Sequence, residues 1–220
     1  MKREIIQTND GSTTIHLPEW DESYHSKHGA IQEAYHVFIK NGLDLFGDKP
    51  ISILEIGFGT GLNSFITYLE AKKRNQPINY IGIEAYPISI EEALQMNYSD
   101  EIDSTEKILF NEMHESQWEQ KNALSATFTL TKRKQFFQDI QDENAFDLIY
   151  FDAFGFRVQP ELWSEEVFAS MFKAMKTNGV LVTYACRTSI KTAMLSAGFS
   201  VEKLPGAPGK REMLRATKAL

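Results

Sequence analysis

From residue 50 onward, short apolar runs alternate with segments whose apolar residues recur at a helical period. Ile51 to Ile56, Asn79 to Glu84, Ala126 to Leu130, Phe146 to Phe151, Val180 to Tyr184 and Phe199 to Leu204 read as strands. Leu62 to Lys73, Pro87 to Met96, Glu161 to Met175 and Ser189 to Ala197 read as helices, and Phe136 to Ile140 as a short one. Asp100 to Glu119 carries a weaker helical mark. The unbroken run Phe146 to Phe151 predicts a strand buried on both faces, as in a parallel sheet covered by helices. The alternation therefore predicts a doubly wound α/β sheet. Only the turn Pro205-Gly206-Ala207-Pro208-Gly209 separates Phe199 to Leu204 from a last strand, Arg211 to Thr217. Without a crossover helix those two strands must pair antiparallel. The expectation is a mostly parallel, Rossmann-like sheet whose final strand runs backwards.

The first fifty residues differ. Glu4 to Gln7 and Thr13 to Leu17 flank Asn9-Asp10-Gly11-Ser12, a hairpin signal because these turn residues tolerate positive φ. Pro18 ends the second strand, Glu19 to His28 reads as a polar and aromatic loop, and Ala30 to Phe46 as a helix. Residues 1–48 are expected to form a hairpin and helix extension packing on a core domain of residues 49–220.

Bulk properties narrow the function. No apolar run approaches the roughly 20 residues that cross a bilayer, so no membrane association is expected. The start, MKREIIQTNDG, has no apolar signal region, and a lone cysteine, Cys186, suits a reducing compartment and reads as a small strand-end residue. A cytoplasmic location is expected. No cysteine and histidine spacing suggests zinc, and no metal is expected. A net charge of −7 argues against nucleic acid for the chain as a whole. The terminal stretch nonetheless concentrates Lys203, Lys210, Arg211, Arg215 and Lys218 into a local basic face. Lys210-Arg211 reads as either a solvated charge pair or a phosphate clamp.

The chemistry centres on Ile51 to Asn63, ISILEIGFGTGLN. A strand, a turn holding Gly57, Gly59 and Gly61, and a helix let a ligand approach bare backbone. Roughly 20 residues beyond, a second strand ends in Glu84, the position from which a carboxylate accepts hydrogen bonds from both ribose hydroxyls. Glu55 precedes the first glycine, and Thr60 alone separates the second from the third. A dinucleotide loop keeps two residues there, so the spacing favours S-adenosyl-L-methionine over NAD or FAD. Asp152, at the end of the apolar strand, lies where reactive groups sit in α/β sheets. It is a candidate to face the transferable methyl and to orient a primary amine acceptor, with Phe154 against the sulfonium. A turn or helix-capping acid is the alternative role for Asp152. Tyr24-His25-Ser26 is placed to fold over the methionine moiety. His25, His28 and His36 read as packed or solvated side chains, and Trp20 and Trp163 as core or lid aromatics.

Several segments together resemble one family, the methyltransferase part of MnmC and its stand-alone form, MnmD. They are Asp10-Gly11-Ser12, Tyr24-His25-Ser26, His28-Gly29-Ala30 with Glu33, LEIGFGTGLN, IYFDAFGFRVQPELW and KLPGAPGKREMLRA. The resemblance spans essentially the whole chain. It implies the class I S-adenosyl-L-methionine-dependent methyltransferase fold and a tRNA (5-methylaminomethyl-2-thiouridylate)-methyltransferase activity. In that activity a methyl group passes to the amine of 5-aminomethyl-2-thiouridine at the wobble position. It implies cofactor contacts by Tyr24, Ser26, Glu55, Gly57, Gly59, Thr60, Gly61, Asn63, Glu84 and Asp152, and a reaction centre of Asp152 with Phe154. It also implies tRNA contacts by Arg157, Lys210 and Arg211. The flavin-dependent oxidase part of bifunctional members has no counterpart in this sequence, so no FAD domain is expected. An acid that often follows the third strand to hold adenine is replaced by Thr131-Lys132-Arg133-Lys134, which leaves adenine to backbone and apolar contacts. Two rival readings remain: a polyamine synthase-like transferase acting on small amines, and a non-catalytic tRNA-binding module.

Overall fold

The computed structural model describes residues 2–219. A small antiparallel sheet comes first: β1 (Glu4–Gln7), β2 (Thr13–Leu17) and β3 (Glu22–Ser23). Then come α1 (Ala30–Ala34), β4 (Ile51–Ile56), α2 (Leu62–Arg74), β5 (Ile78–Ile83), α3 (Ile90–Ala93), α4 (Tyr98–Ile102) and α5 (Lys107–Glu115). β6 (Lys121–Ala123), β7 (Phe128–Arg133), β8 (Phe146–Phe151), α6 (Glu165–Ala174), β9 (Met175–Thr183), α7 (Thr188–Ser196), β10 (Ser200–Pro205) and β11 (Glu212–Thr217) complete the order.

The main sheet runs β10-β11-β9-β8-β4-β5-β7-β6. The strands from β9 through β7 are parallel, whereas β11 pairs antiparallel with both β9 and β10. From β4 the chain steps one way to β5 and later the other way to β8. Their shared carboxyl ends form a switch point, the place where open α/β sheets bind ligands.

Alternation along the buried strands sorts side chains into two layers. Ile53, Leu148 and Tyr150 face one core with Phe65, Phe110 and Met113; Leu54, Ile149 and Phe151 face the other with Phe168, Met171 and Ile190. Ile15, Leu17, Val37 and Phe38 join the first core, so the N-terminal segment shares its apolar packing with the sheet. Asp10 fixes that segment. Its carboxylate accepts hydrogen bonds from the Ser12 backbone and, 3.0 Å away, from the Gln32 backbone at the start of α1. A side chain on Gly29, at φ 149°, would collide with it.

Several predicted bounds change. The helix expected over Ala30 to Phe46 becomes α1, a wider π-type segment at Tyr35–Lys40 and a 3-10 turn at Leu43–Phe46. Only Ile90–Ala93 of the predicted Pro87 to Met96 helix forms, started by a capping box between Ser89 and Glu92. Asp100 to Glu119 divides among α4, a 3-10 turn and α5. Asp103 closes α4 in an extended conformation and caps the 3-10 turn through the Thr105 amide. Pro160 starts a separate 3-10 turn, and Ser164 then caps α6 through the Val167 amide. β3, within the expected loop, and β6 carry too few residues to show a period. β9 begins at Met175 and carries Asn178-Gly179 inside it, with Asn178 at φ 62° and a register irregularity against β8. β7 extends through Arg133, so Thr131 to Arg133 are strand residues rather than the loop that follows it.

Candidate functional site

The glycine loop is shaped by what surrounds it. Gly57 sits at φ 89°, and a Cβ there would lie 2.6 Å from the Asp152 carbonyl oxygen. The loop therefore presses against the end of β8 in a way only glycine permits. Gly59, at φ 51°, donates its amide to Oε2 of Glu84 at 3.0 Å, and Oε1 accepts the Tyr86 amide at 2.9 Å. Glu84 thus ties the tip of β5 to the glycine turn while each oxygen keeps a further lone pair for a ligand. Phe58 folds beneath the loop onto Gly82, where a Cβ would approach its ring to 2.4 Å. The Thr60 hydroxyl pairs with that of Tyr98 at 2.9 Å, and Gly61 caps α2 at φ 75°.

Asp152 follows β8. Its Oδ2 accepts a 2.8 Å hydrogen bond from Nδ2 of Asn63, and the same amide nitrogen reaches Oε1 of Glu55 at 3.0 Å. Burial pushes the Asp152 carboxyl up to about 7, with the Glu33 charge adding to the rise; the Asn63 bond and Lys210 pull it down. Burial also holds Glu55 well above the carboxylate range, and the Asp152 charge reinforces this. A carboxyl poised near neutrality in a cleft suits proton exchange with an amine. Phe154 stands between Trp20 and Tyr24, with ring centroids 5.8 and 4.9 Å away in edge-to-face contact. The Asp152-Ala153-Phe154 turn is fixed from behind: Trp163 donates to the Phe154 carbonyl and Tyr184 to the Ala153 carbonyl, both at 2.8 Å.

These groups line one cleft of about 770 Å³. Gly57, Gly59, Thr60, Asn63, Glu84, Asp152, Phe154 and Tyr24 reach it. Glu55 does not: it is buried beneath, behind Asn63. Gly61 shapes the helix start rather than the wall. Ser26 also lies off the wall, its amide donating to Glu33 and its hydroxyl accepting from the His28 amide. His25 lines the cleft, with Nδ1 3.0 Å from the Thr14 hydroxyl, and burial lowers its pKa to about 4, leaving it neutral at pH 7. Trp20 is a lid aromatic and Trp163 a core one.

The predicted basic contacts divide. Arg157 donates to the Trp20 and Asp21 carbonyls, both at 2.8 Å, and pairs with Glu22. It therefore pins the segment that roofs the cleft. Lys210 pairs with Glu33 and stands 3.9 Å over the Tyr184 ring, off the cleft wall. Arg211 is exposed. Sequence reasoning missed Arg3, which reaches from just before β1 to Glu92 and the Tyr86 carbonyl, and the wall formed by Tyr86, Phe136, Phe137 and Gln138. The only signal for the latter is that Phe136 to Gln138 follow a strand at its carboxyl end. Arg3 has no local sequence signal.

An empty-backbone glycine cradle, a ribose-competent carboxylate and the antiparallel β11 together define a class I methyltransferase. The chain belongs to a family of S-adenosyl-L-methionine-dependent methyltransferases, whose model matches residues 92–219. Among curated proteins it is similar to the tRNA 5-methylaminomethyl-2-thiouridine biosynthesis bifunctional protein MnmC of Campylobacter fetus, 32% identical over 92% of this chain and 34% of that protein. The protein of the same name from Cupriavidus metallidurans is 28% identical over 96% of this chain and 33% of its own length. The chain thus spans about a third of the curated relatives it matches. Among solved structures, MNMC2 from Aquifex aeolicus superposes with a TM-score of 0.77 at 24% identity, covering 100% of this chain and 72% of that one. Spermidine synthase from Thermotoga maritima gives 0.62 at 15% identity, over 99% and 69%. At these identities the two structures bear on the fold alone.

Proposed function

We propose that the chain transfers a methyl group from S-adenosyl-L-methionine to the amine of 5-aminomethyl-2-thiouridine at the tRNA wobble position. The observation that carries this reading is Asp152, a carboxyl near neutrality beside the glycine cradle and walled by Phe154. The names of the relatives supply the substrate. The cleft's residues fit the cofactor: the side-chain-free Gly57 and Gly59 admit its backbone contacts, and Glu84 accepts the ribose hydroxyls. The wall from Tyr86 to Gln138 would hold adenine by apolar contact, and Tyr24 would cover the methionine end. When bound, the cofactor supplies a methyl group on a positively charged sulfur.

Asp152 accepts a hydrogen bond from the incoming amine, favours its entry as a cation and takes its proton, leaving the lone pair free to attack the methyl carbon. A bound cofactor would supply the methyl carbon to that lone pair and would keep the carbon–sulfur bonding pair on its sulfur. Phe154, Trp20 and Tyr24 keep water from the cation and stabilise it through their ring faces, a contact worth about 1 kcal/mol or more when desolvated. Asn63 holds the carboxylate in place. A tRNA module without catalysis would have no use for both Asp152 and Glu84 on the wall of one cleft.

The test is methyl transfer from labelled S-adenosyl-L-methionine to tRNA bearing the aminomethyl uridine, read by nucleoside mass spectrometry. A methylaminomethyl product supports the reading. No transfer to tRNA alongside transfer to free diamines would replace it.

A further inference from the structure

A groove of about 320 Å³ adjoins the cleft and shares Gly155 and Tyr184 with it as a common wall. Arg187, the residue that opens α7, lays its guanidinium 5.2 Å from the centroid of the partly buried Phe156 ring. Arg157, Lys210 and Arg211 also line the groove. Two of these four cations are spoken for, Arg157 by Glu22 and Lys210 by Glu33. Arg187 and Arg211 are exposed, and among the described residues neither has a carboxylate within ion-pairing distance. Glu212, the acid in the groove, is held by Lys203. Two arginines without an ion-pair partner lining one groove, on a chain of net charge −7, mark a local attraction for anions.

The pairing of Arg187 with Phe156 says more than charge. The Phe156 ring packs against a guanidinium whose residue is exposed to solvent, and guanidinium planes stack on unpaired bases in single-stranded RNA. A base drawn into a methyltransferase cleft is splayed from its neighbours, and the covalently attached next nucleotide must lie on the adjoining surface. We infer that this groove holds the nucleotide flanking the target uridine, its base stacked on Arg187 and its phosphate met by Arg211. The inference rests on the tRNA reading of the cleft and adds to it a second subsite.

The test is equilibrium binding of an anticodon stem-loop RNA across a salt series, for the wild type and groove variants. Cofactor affinity, measured on each, reports that the fold is intact. Arg211→Gln lowers the slope of log affinity against log salt by about 0.7. Arg187→Gln lowers the slope similarly and weakens binding about tenfold. Arg187→Lys restores the slope without restoring the affinity, because the charge returns and the plane does not. Phe156→Leu weakens binding at unchanged slope, and Phe156→Tyr retains it. Variants that all bind within about twofold of the wild type would overturn the inference. So would displacement of the RNA by polyaspartate as effectively as by unlabelled RNA, since that describes charge alone. If the wild type methylates tRNA while the groove variants bind normally, only the groove fails; if the wild type binds no RNA, the tRNA reading fails with it.

Discussion

Nδ2 of Asn63 lies 2.8 Å from Oδ2 of Asp152, and the amide shares its two protons between that oxygen and Glu55 behind it. The arrangement keeps one carboxyl at the cleft and a second, electrically coupled one beneath it. Burial dominates the elevation of Asp152 to about 7, and the Asn63 bond works against it. In the proposed function the ionised form is the one that accepts the amine. Single-turnover rates should therefore rise with pH through a midpoint near 7. Asn63→Ala should move that midpoint upward, because the bond that favoured the charged form is gone. An unmoved midpoint would assign the rise to the amine.

Stability should carry the same signature with the opposite sense. The folded carboxyl titrates at about 7 and the unfolded one near the ordinary aspartate value of 3.8. Below both values the two states are equally protonated. Between them the folded state holds a proton that the unfolded state has released, so stability falls as pH rises and the loss is complete above about 7. Asp152→Asn removes this dependence. The variant should exceed the wild type by on the order of 1–3 kcal/mol at about pH 8 and match it below about pH 3.8, by urea unfolding. The low-titrating His25 and His114 are common to both proteins and cancel. A variant less stable at pH 8 would contradict the burial argument.

Glu84 clamps the Gly59 and Tyr86 amides, and in the proposed function it also offers acceptors to the ribose. Glu84→Ala should weaken S-adenosyl-L-methionine binding by about 10- to 100-fold, with Glu84→Gln between it and the wild type. Calorimetry on the free protein measures this. Undiminished affinity would remove Glu84 from the cofactor site.

Arg157 distinguishes a structural from a nucleic-acid role. Its bonds to the Trp20 and Asp21 carbonyls predict that Arg157→Ala loosens the roof of the cleft. Proteolysis within residues 18–28 should accelerate and cofactor affinity should drop, while the salt slope of tRNA binding stays unchanged. A lower slope with the roof still protected would make Arg157 a phosphate contact.

The parts of this molecule visible in its sequence are those governed by local pattern. β4, β5 and β8 announce themselves as buried runs, and Gly57, Glu84 and Asp152 sit where strand ends dictate. The antiparallel β11 followed from a connection too short for a helix. What stayed hidden depends on distant partners. Glu55 looked like a cofactor contact because it adjoins the glycines, yet the pleat turns it under Asn63. Arg3 enters the site only because the hairpin packs against the main sheet, and Arg157 is expected as a tRNA contact because nothing local shows the Trp20 and Asp21 carbonyls to which it donates. The length of β9 escaped notice because Asn178-Gly179 is a turn signal that here serves as an irregularity within a strand.

The account stands or falls on Asp152 serving the acceptor rather than the cofactor. Its most direct test is the single-turnover rate of methyl transfer to aminomethyl-uridine tRNA for Asp152→Ala, measured together with cofactor affinity. The prediction is a rate lower by about 100-fold or more, with affinity within a few-fold of the wild type. A rate close to wild type, or a matching loss of rate and affinity, would contradict it.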